Sequence, residues 1–217
     1  PPAVAGAGLG LLAVKPQARR AACEPLAGPA QAARPLVVSI AAGIPVARIQ
    51  QWLGGELPVV RCMPNTPALL GAGVTGLYAA PQVDAAGRQR AEQLLASAGA
   101  TVWVAEETLV DAVTAVSGSG PAYAFLLAEA MEAAAVAEGL PAADARSLVV
   151  HTLLGAGRML VESGQAPAEL RRQVTSPGGT TQAAIETFQA GGLETLVARA
   201  VHAARQRAAE LATGAGA

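Results

Sequence analysis

The sequence is poor in charged and aromatic residues, which make up 14% and 3% of its 217 positions. The formal net charge is -1, so the chain lacks the basic surface with which proteins bind nucleic acid or an anionic membrane. Gly, Pro or a charged residue interrupts each apolar stretch before the roughly 18 residues that a membrane span needs. These absences predict a protein with neither a nucleic-acid partner nor a membrane partner.

Cysteine and histidine are scarce too, with two residues of each. Two cysteines cannot form a disulfide-dense scaffold, and the start of the chain lacks the basic segment of a signal peptide, so we expect a cytoplasmic protein. His151 and His202 have no Cys, Asp or Glu at metal-ligand spacing, which predicts no metal site. Without a Gly-x-Ser-x-Gly elbow or a Cys-His pair, the pattern favours chemistry that a cofactor supplies.

Five short apolar runs predict buried strands, and helical stretches separate the first three of them. The runs cover residues 9–14, 36–40, 59–62, 74–79 and 101–104. Alternating strands and helices predict a parallel sheet with helices on its faces. Strand signals disappear from Glu106 onward. We therefore expect an α/β domain over residues 1–105 and an all-helical domain over residues 106–217.

Two prolines mark the starts of helices in this second domain, Pro121 and Pro141. The helix after Pro141 carries apolar residues on nearly every face, including Leu148, Leu153 and Leu154. Such a helix has to be covered on several sides, and a small helical domain offers too few unless a second subunit contributes. The pattern therefore predicts obligate dimerisation.

Gly6, Gly8 and Gly10 look like part of a dinucleotide-binding fingerprint, but that motif has to follow a strand and open a helix. Here the glycines precede the first predicted strand, and Leu11 stands where the last glycine belongs. This order favours a turn that leads into the strand. It also places any phosphate loop upstream of Pro1.

Three strand ends are followed by loops suited to a ligand, because open α/β sheets bind ligands at the carboxyl ends of their strands. Lys15, the only lysine, follows the first strand. Gly43 ends a run of small residues after the second strand, and Asn65 lies in a proline-rigid loop after the third. A solvated loop lysine explains Lys15 equally well, and a tight turn explains the residues before Gly43.

Two glycine-containing segments lead into predicted helices. In residues 117–121 the simplest interpretation is structural, with Ser119 or Gly120 as the helix cap and glycine permitting a close approach. Residues 175–181 precede a helix predicted over 182–190, and backbone N–H groups freed by glycine there suit an anion such as a carboxylate. An ordinary capped loop explains residues 175–181 equally well.

Six segments together resemble the pyrroline-5-carboxylate reductases, which carry out the last step of proline biosynthesis. They are Ala13-Val14-Lys15-Pro16, Val38-Ser39-Ile40-Ala41-Ala42-Gly43, Met63-Pro64-Asn65-Thr66-Pro67, Asp111-Ala112-Val113-Thr114, Ser117-Gly118-Ser119-Gly120-Pro121-Ala122-Tyr123 and Ser176-Pro177-Gly178-Gly179-Thr180-Thr181. The resemblance implies an incomplete Rossmann-type domain, without the Gly-rich phosphate-loop segment, and then a helical dimerisation domain interlocked with that of a second subunit. Dimers of this family often assemble into decamers.

The resemblance also implies roles for individual residues. The cofactor, NADPH or alternatively NADH, would be bound by Ala13, Val14, Lys15, Pro16, Ala41, Ala42, Gly43 and Asn65. The substrate would be bound by Ser176, Gly178, Gly179, Thr180 and Thr181 of the partner subunit's loop. Thr181 would be the catalytic residue, through a hydrogen bond to the ring nitrogen.

The implied reaction transfers a hydride from the nicotinamide to the cyclic imine 1-pyrroline-5-carboxylate and gives L-proline. One alternative is another NADP-dependent imine or keto-acid reductase of the same two-domain build. Hydroxyacid dehydrogenases of that build carry a catalytic lysine on the first helix of the second domain, and this sequence has none there. The other alternative is a non-catalytic oligomerising remnant that lacks the nucleotide loop.

Overall fold

The computed structural model describes residues 6–14 and 18–214. The chain divides into two compact units, Pro1–Pro121 with Val201–Ala217 and Ala122–Ala200. We call them the sheet unit and the helical unit. The sheet unit extends past the predicted boundary at residue 105, because helix α5 (Leu109–Val113) packs against two strands of the sheet.

The sheet unit contains, in the described part of the chain, five strands that lie side by side in chain order. They are β1 (Leu9–Leu12), β2 (Leu36–Ser39), β3 (Val59–Met63), β4 (Gly73–Ala79) and β5 (Gly99–Trp103). β1, β2 and β3 are parallel, and β2 is buried along its whole length, as expected for a sheet covered on both faces. The five predicted strands are confirmed.

β4 runs antiparallel to β3, whereas the sequence predicted a parallel sheet. The connection between these strands contains only the 3₁₀ turn Thr66–Leu70, which is too short for the crossover of about a dozen residues that parallel strands require. β5 is again parallel to β4, with α4 (Ala85–Ala96) between them. The sheet is therefore mostly parallel, and the predicted α/β class is confirmed.

The helices of the sheet unit connect the strands and cover the sheet. They are α1 (Arg19–Cys23) and α2 (Ala27–Ala33) between β1 and β2, and α3 (Val46–Trp52) between β2 and β3. Their buried residues, among them Ala30 and Ile49, join the strand residues in one hydrophobic core. The core lies directly beneath the strand ends at which the sequence predicted a ligand.

α5 continues into a π-helical turn, Thr114–Gly118, and then into α6 (Gly120–Ala137). α6 begins at Gly120, directly after Ser119, and the Ser119 N–H donates to the Thr114 carbonyl at 2.8 Å, so the π-helical turn leads straight into α6. The cap at Ser119 or Gly120 stays a prediction. The predicted close approach is present at Gly118, where a Cβ would lie 2.6 Å from Met63 Cε. The π-helical turn therefore contacts the end of β3.

The helical unit is built from α6 onward. It also contains α7 (Ala142–Glu162), α8 (Pro167–Gln173), α9 (Thr180–Ala190) and the first part of α10 (Leu193–Gly214). Few of its apolar side chains are buried, and Leu126, Leu154 and Val161 are each more than half exposed. This exposure is what the sequence predicts for helices that a second subunit covers. Within residues 6–14 and 18–214, no helix is both long and apolar enough to cross a membrane.

Candidate active site

The carboxyl ends of β1, β2 and β3 lie at one edge of the sheet, because the three strands are parallel. The loops at this edge bring together Ala13 and Val14, residues 41–43 and Asn65, all predicted to bind the cofactor. Lys15 and Pro16, which the sequence also predicts to bind it, lie outside the described residues. Strand ends of this kind are where open α/β sheets bind nucleotides.

Small residues shape the loop after β2. The fully buried hydroxyl of Ser39 accepts a hydrogen bond from the Ala41 N–H at 3.3 Å, so the chain turns directly after the strand. Gly43 has a φ of 72°, which favours glycine, and a Cβ there would lie 3.7 Å from the carbonyl carbon of Leu211 in α10. The loop thus presents backbone and methyl groups, which fits the close approach of a dinucleotide.

A cavity of about 10 Å³ lies beneath this loop. Apolar side chains form most of its lining, including Leu12, Val14, Ile44 and Trp52. A space of this size holds about one water molecule. This cavity is therefore too small to hold a dinucleotide.

Asn65 joins the loop after β3 to the start of β4. Its backbone is extended, and its Oδ1 accepts a hydrogen bond from the Val74 N–H at 3.0 Å. The bond to Val74 holds the amide in place, and among the described residues Nδ2 has no hydrogen-bond partner. Asn65 can therefore offer a ligand the N–H donors of Nδ2 and the second lone pair of Oδ1.

Residues 175–181 form the entrance to α9 in the helical unit. The helix begins at Thr180 rather than at the predicted residue 182, so Thr181 lies in its first turn. Gly178 has a φ of 70°, and a Cβ at Gly179 would lie 2.6 Å from Ser176 Oγ. Gly178 therefore favours glycine for its conformation, and a side chain at Gly179 would displace the Ser176 hydroxyl.

The N–H groups of the two glycines already have partners. Gly178 donates to Gln182 Oε1 at 2.7 Å, and Gly179 donates to the Ser176 carbonyl at 3.1 Å. The N–H groups of Thr180 and Thr181 lie in the first turn, where a helix offers no acceptor four residues earlier. The predicted helix N-terminus is present, but its open donors lie one to two residues later than the glycines.

The hydroxyl of Thr181 is half-buried and makes no hydrogen bond within the part of the chain that the structure describes. The hydroxyls of Thr175 and Thr187, in contrast, donate to carbonyls four residues earlier, at 2.6 and 2.9 Å. Thr181 is too near the helix start for that bond. This helix end therefore combines backbone N–H donors with an available hydroxyl, which suits a carboxylate next to a nitrogen.

A cluster of charged residues in the sheet unit, one buried arginine and two half-buried carboxylates, was not predicted from the sequence. Arg61 of β3 is only 4% exposed and contacts two carboxylates, with Nη1 3.1 Å from Glu107 Oε1 and Nη2 3.5 Å from Asp111 Oδ1. Glu107 Oε1 also accepts a hydrogen bond from the Val46 N–H at 2.7 Å. Two features of the sequence could have indicated this cluster. They are an arginine inside an apolar strand and two acidic residues four positions apart.

The two cysteines are buried and free. Burial raises the pKa of the Cys23 thiol and raises the pKa of Cys62 to about 12. Both thiols therefore stay protonated at neutral pH and are poor nucleophiles. Among residues 6–14 and 18–214, no three His, Cys, Asp or Glu side chains are grouped so that they could hold a metal ion.

The chain is similar to proteins of known function along nearly its whole length. Residues 107–211 match a family described as pyrroline-5-carboxylate reductase dimerisation. Curated pyrroline-5-carboxylate reductases from Pseudomonas aeruginosa and Haemophilus influenzae are 57% and 43% identical to it. The matches cover 97% and 94% of this chain, and 77% and 75% of those proteins.

Solved structures show the same similarity. A pyrroline-5-carboxylate reductase from Coxiella burnetii superposes with a TM-score of 0.93 at 42% identity, covering 96% of this chain and 77% of that one. A pyrroline carboxylate reductase from Plasmodium falciparum, solved with NADP bound, superposes with a TM-score of 0.83 at 27% identity. That match covers 96% of this chain and 79% of the other.

Proposed function

The chain belongs to the pyrroline-5-carboxylate reductase family, and we propose which of its residues carry out the reaction. It is an oxidoreductase that reduces the C=N bond of 1-pyrroline-5-carboxylate, in proline biosynthesis, with a nicotinamide cofactor. The 57% identity to a curated relative over 97% of the chain carries this conclusion. We propose that residues 1–105 bind the cofactor, and that residues 106–217 form the dimer and bind the substrate.

The proposed cofactor is NADPH, with NADH as the alternative. The proposed cofactor-binding residues are Ala13, Val14, Lys15, Pro16, Ala41, Ala42, Gly43 and Asn65. The small residues of the β2 loop and the Nδ2 donor of Asn65, which has no partner among the described residues, support this assignment, as does the NADP bound to the Plasmodium falciparum relative. When bound, the reduced nicotinamide supplies a hydride.

The choice between the two cofactors is tested by steady-state kinetics. We expect kcat/KM to be at least about tenfold higher with NADPH than with NADH, a difference of about 1.4 kcal/mol. Equal values for the two cofactors would remove the preference for NADPH. They would leave the proposed residues unaffected, because NADH and NADPH differ only in the 2′-phosphate of the adenosine ribose.

The proposed substrate-binding residues are Ser176, Gly178, Gly179, Thr180 and Thr181. The N–H groups of Thr180 and Thr181 would donate to the substrate carboxylate, and the positive end of the α9 dipole favours an anion at that position. The hydroxyl of Thr181 would accept a hydrogen bond from the protonated ring nitrogen. These contacts hold the imine carbon at the distance of about 3 to 3.5 Å that hydride transfer requires.

None of the proposed site residues in the described part of the chain is a strong general acid. We therefore assign the proton of the new N–H bond to solvent or to a substrate that binds already protonated. The role of Thr181 is then to orient the nitrogen. The rate of the reaction should therefore depend on the position of this hydroxyl and not on the pKa of any side chain.

The proposed assembly is a homodimer, with a decamer as the higher state, and the partner subunit contributes residues 175–181 to each site. Support comes from the dimerisation match over residues 107–211 and from the exposed apolar side chains of α6 and α7. The proposed location is the cytoplasm, which fits two buried, unpaired cysteines.

The substrate site is tested by Gly179→Val, because the new side chain would collide with Ser176. We expect KM for pyrroline-5-carboxylate to rise at least about tenfold while the dissociation constant of NADPH stays within about twofold, since only the carboxylate contacts are displaced. Gly28→Val is the matched control, because a Cβ on Gly28 meets nothing within 4 Å. An unchanged KM in Gly179→Val would contradict the assignment of this loop.

A further inference from the structure

The cluster of Arg61, Glu107 and Asp111 has no part in the proposed reaction. The Arg61 side chain is buried in the sheet unit, the two carboxylates are half-buried, and within the described residues Arg61 Nε has no hydrogen-bond partner. Buried ion pairs are weak sources of stability, because desolvation of the charges offsets their attraction, and an unpaired donor adds a further cost. The arrangement is therefore poorly explained as a device that stabilises the core.

Glu107 connects the cluster to the start of α3. Its Oε1 accepts the Val46 N–H at 2.7 Å, and Val46 is the first residue of that helix. Pro45, the N-cap residue, provides no side-chain hydrogen bond, and the first turn of α3 contains no acidic residue. A carboxylate that is distant in sequence thus acts as the N-terminal cap of α3, where a negative charge is favourable.

The start of α3 is also the end of the loop proposed to bind the cofactor. Only Ile44 and Pro45 separate Gly43 from Val46, and Ile44 is buried. Gly43 has a left-handed backbone conformation, and the chain from Gly43 to Val46 has to be compatible with it. The position of the Val46 N–H therefore determines where residues 41–43 lie at the end of β2.

We infer that Glu107, oriented by Arg61, is a positioning residue for the cofactor: it caps α3 and thereby fixes the 41–43 loop against which the nicotinamide dinucleotide binds. This inference rests on the proposed function, which assigns residues 41–43 to cofactor binding. Asp111 is the control residue for a test of this role. It contacts the same guanidinium as Glu107 but has no bond to α3.

The test compares Glu107→Ala with Asp111→Ala in the purified enzyme, by direct titration with NADPH and by steady-state kinetics. We expect Glu107→Ala to raise the dissociation constant of NADPH about tenfold, the effect of one lost charge-assisted hydrogen bond, and to leave kcat at saturating cofactor within about twofold. Asp111→Ala should leave the dissociation constant within about twofold, although it also removes a carboxylate from Arg61. Equal effects of the two variants on NADPH binding would overturn the inference, because a merely structural cluster predicts them.

Conservative variants keep the test decisive if Glu107→Ala does not fold. Glu107→Gln retains an oxygen that can accept the Val46 N–H, whereas Glu107→Asp retains the charge but withdraws the carboxylate by one methylene. We expect Glu107→Gln to bind NADPH more tightly than Glu107→Asp. The opposite order would contradict a positioning role for the cap.

A variant in the loop itself separates this inference from the proposed function. Gly43→Val forces a β-branched residue into a left-handed conformation and should weaken NADPH binding at least about tenfold. If Gly43→Val leaves NADPH binding unchanged, the assignment of the loop fails and the role of Glu107 fails with it. If Gly43→Val weakens binding and Glu107→Ala does not, only the role of Glu107 is overturned.

Discussion

The sheet unit and the helical unit differ in where their apolar side chains go. The sheet unit buries large residues such as Leu36, Leu57 and Leu77 in one continuous core. In the described part of the helical unit, the buried residues are Ala145, Val149 and Leu170, while many larger apolar side chains are exposed. The sheet unit therefore buries its apolar side chains within one chain, whereas the helical unit can bury its own only in the oligomer.

The units also differ in the groups that they offer to ligands. The sheet unit presents strand ends with small side chains, which suit a large flat cofactor. The helical unit presents a helix N-terminus with the available hydroxyl of Thr181, which suits a small anionic substrate. A partner subunit thus has two tasks in the proposed enzyme, because it covers the helices and completes the substrate site.

The largest effect is expected from a charge on the exposed face of α7. Leu154→Asp should abolish assembly and activity, because the oligomer would bury an unpaired carboxylate. The matched control is Leu94→Asp on α4, where an exposed leucine of the sheet unit should tolerate the same change. Sedimentation velocity and the rate of pyrroline-5-carboxylate reduction are the measurements. If Leu154→Asp and Leu94→Asp had equal sedimentation coefficients and equal rates, the helical unit would depend on the oligomer no more than the sheet unit does.

A cavity in the sheet unit should lower the stability of the protein without changing its oligomeric state. Leu57→Ala removes a fully buried side chain and should lower the free energy of unfolding by about 2 to 5 kcal/mol. Trp52 and Trp103, the only tryptophans, both lie in the sheet unit, so their fluorescence during urea denaturation reports on it. The sedimentation coefficient should stay that of the wild type. A loss of subunits at the same protein concentration would show that the two units are not independent.

A smaller effect is expected at the helix end that we propose binds the substrate. Thr181→Ala should lower kcat/KM by about one to two decades, the result of losing one hydrogen bond to a charged group, whereas Thr181→Ser should keep most of the activity. Thr187→Ala on the same helix is the control, because its hydroxyl bonds only to the Ala183 carbonyl. Unchanged kcat/KM in Thr181→Ala would show that the hydroxyl has no part in the reaction.

The smallest expected effect is on the thiols of the sheet unit. Cys23 and Cys62 are buried, and the pKa of Cys62 is about 12, so a thiol reagent at about pH 8 should label the native protein slowly. If the sheet unit folds without the oligomer, Leu154→Asp should label as slowly as the wild type. Rapid labelling of the dissociated protein would mean that the sheet unit also depends on the partner.

The sequence predicted the strands well, because Gly, Pro or charged residues bound each apolar run. It did not predict the direction of β4, which depends on the short connection through Thr66–Leu70 and not on any residue of the strand. The π-helical turn at Thr114–Gly118 was missed for a similar reason. Gly118 of this turn lies close to Met63, and proximity between residues so far apart in the chain does not follow from local composition.

The candidate site was predictable in position and less so in detail. The loops after the strands and before α9 lie where the pattern placed them. The bond from the Val74 N–H to Asn65, the pairing of Gly178 with Gln182 and the capping of Val46 by Glu107 did not follow from the sequence. Each depends on the orientation of a side chain, which local composition does not determine.

The helical unit should be stable only when a second copy of the chain covers it. Sedimentation velocity of the wild-type protein at about 1 μM, with tryptophan fluorescence and circular dichroism as checks of folding, tests this dependence directly. We expect a dimer or a larger assembly and no folded monomer at this concentration. A fully folded, stable monomer under the same conditions would contradict it.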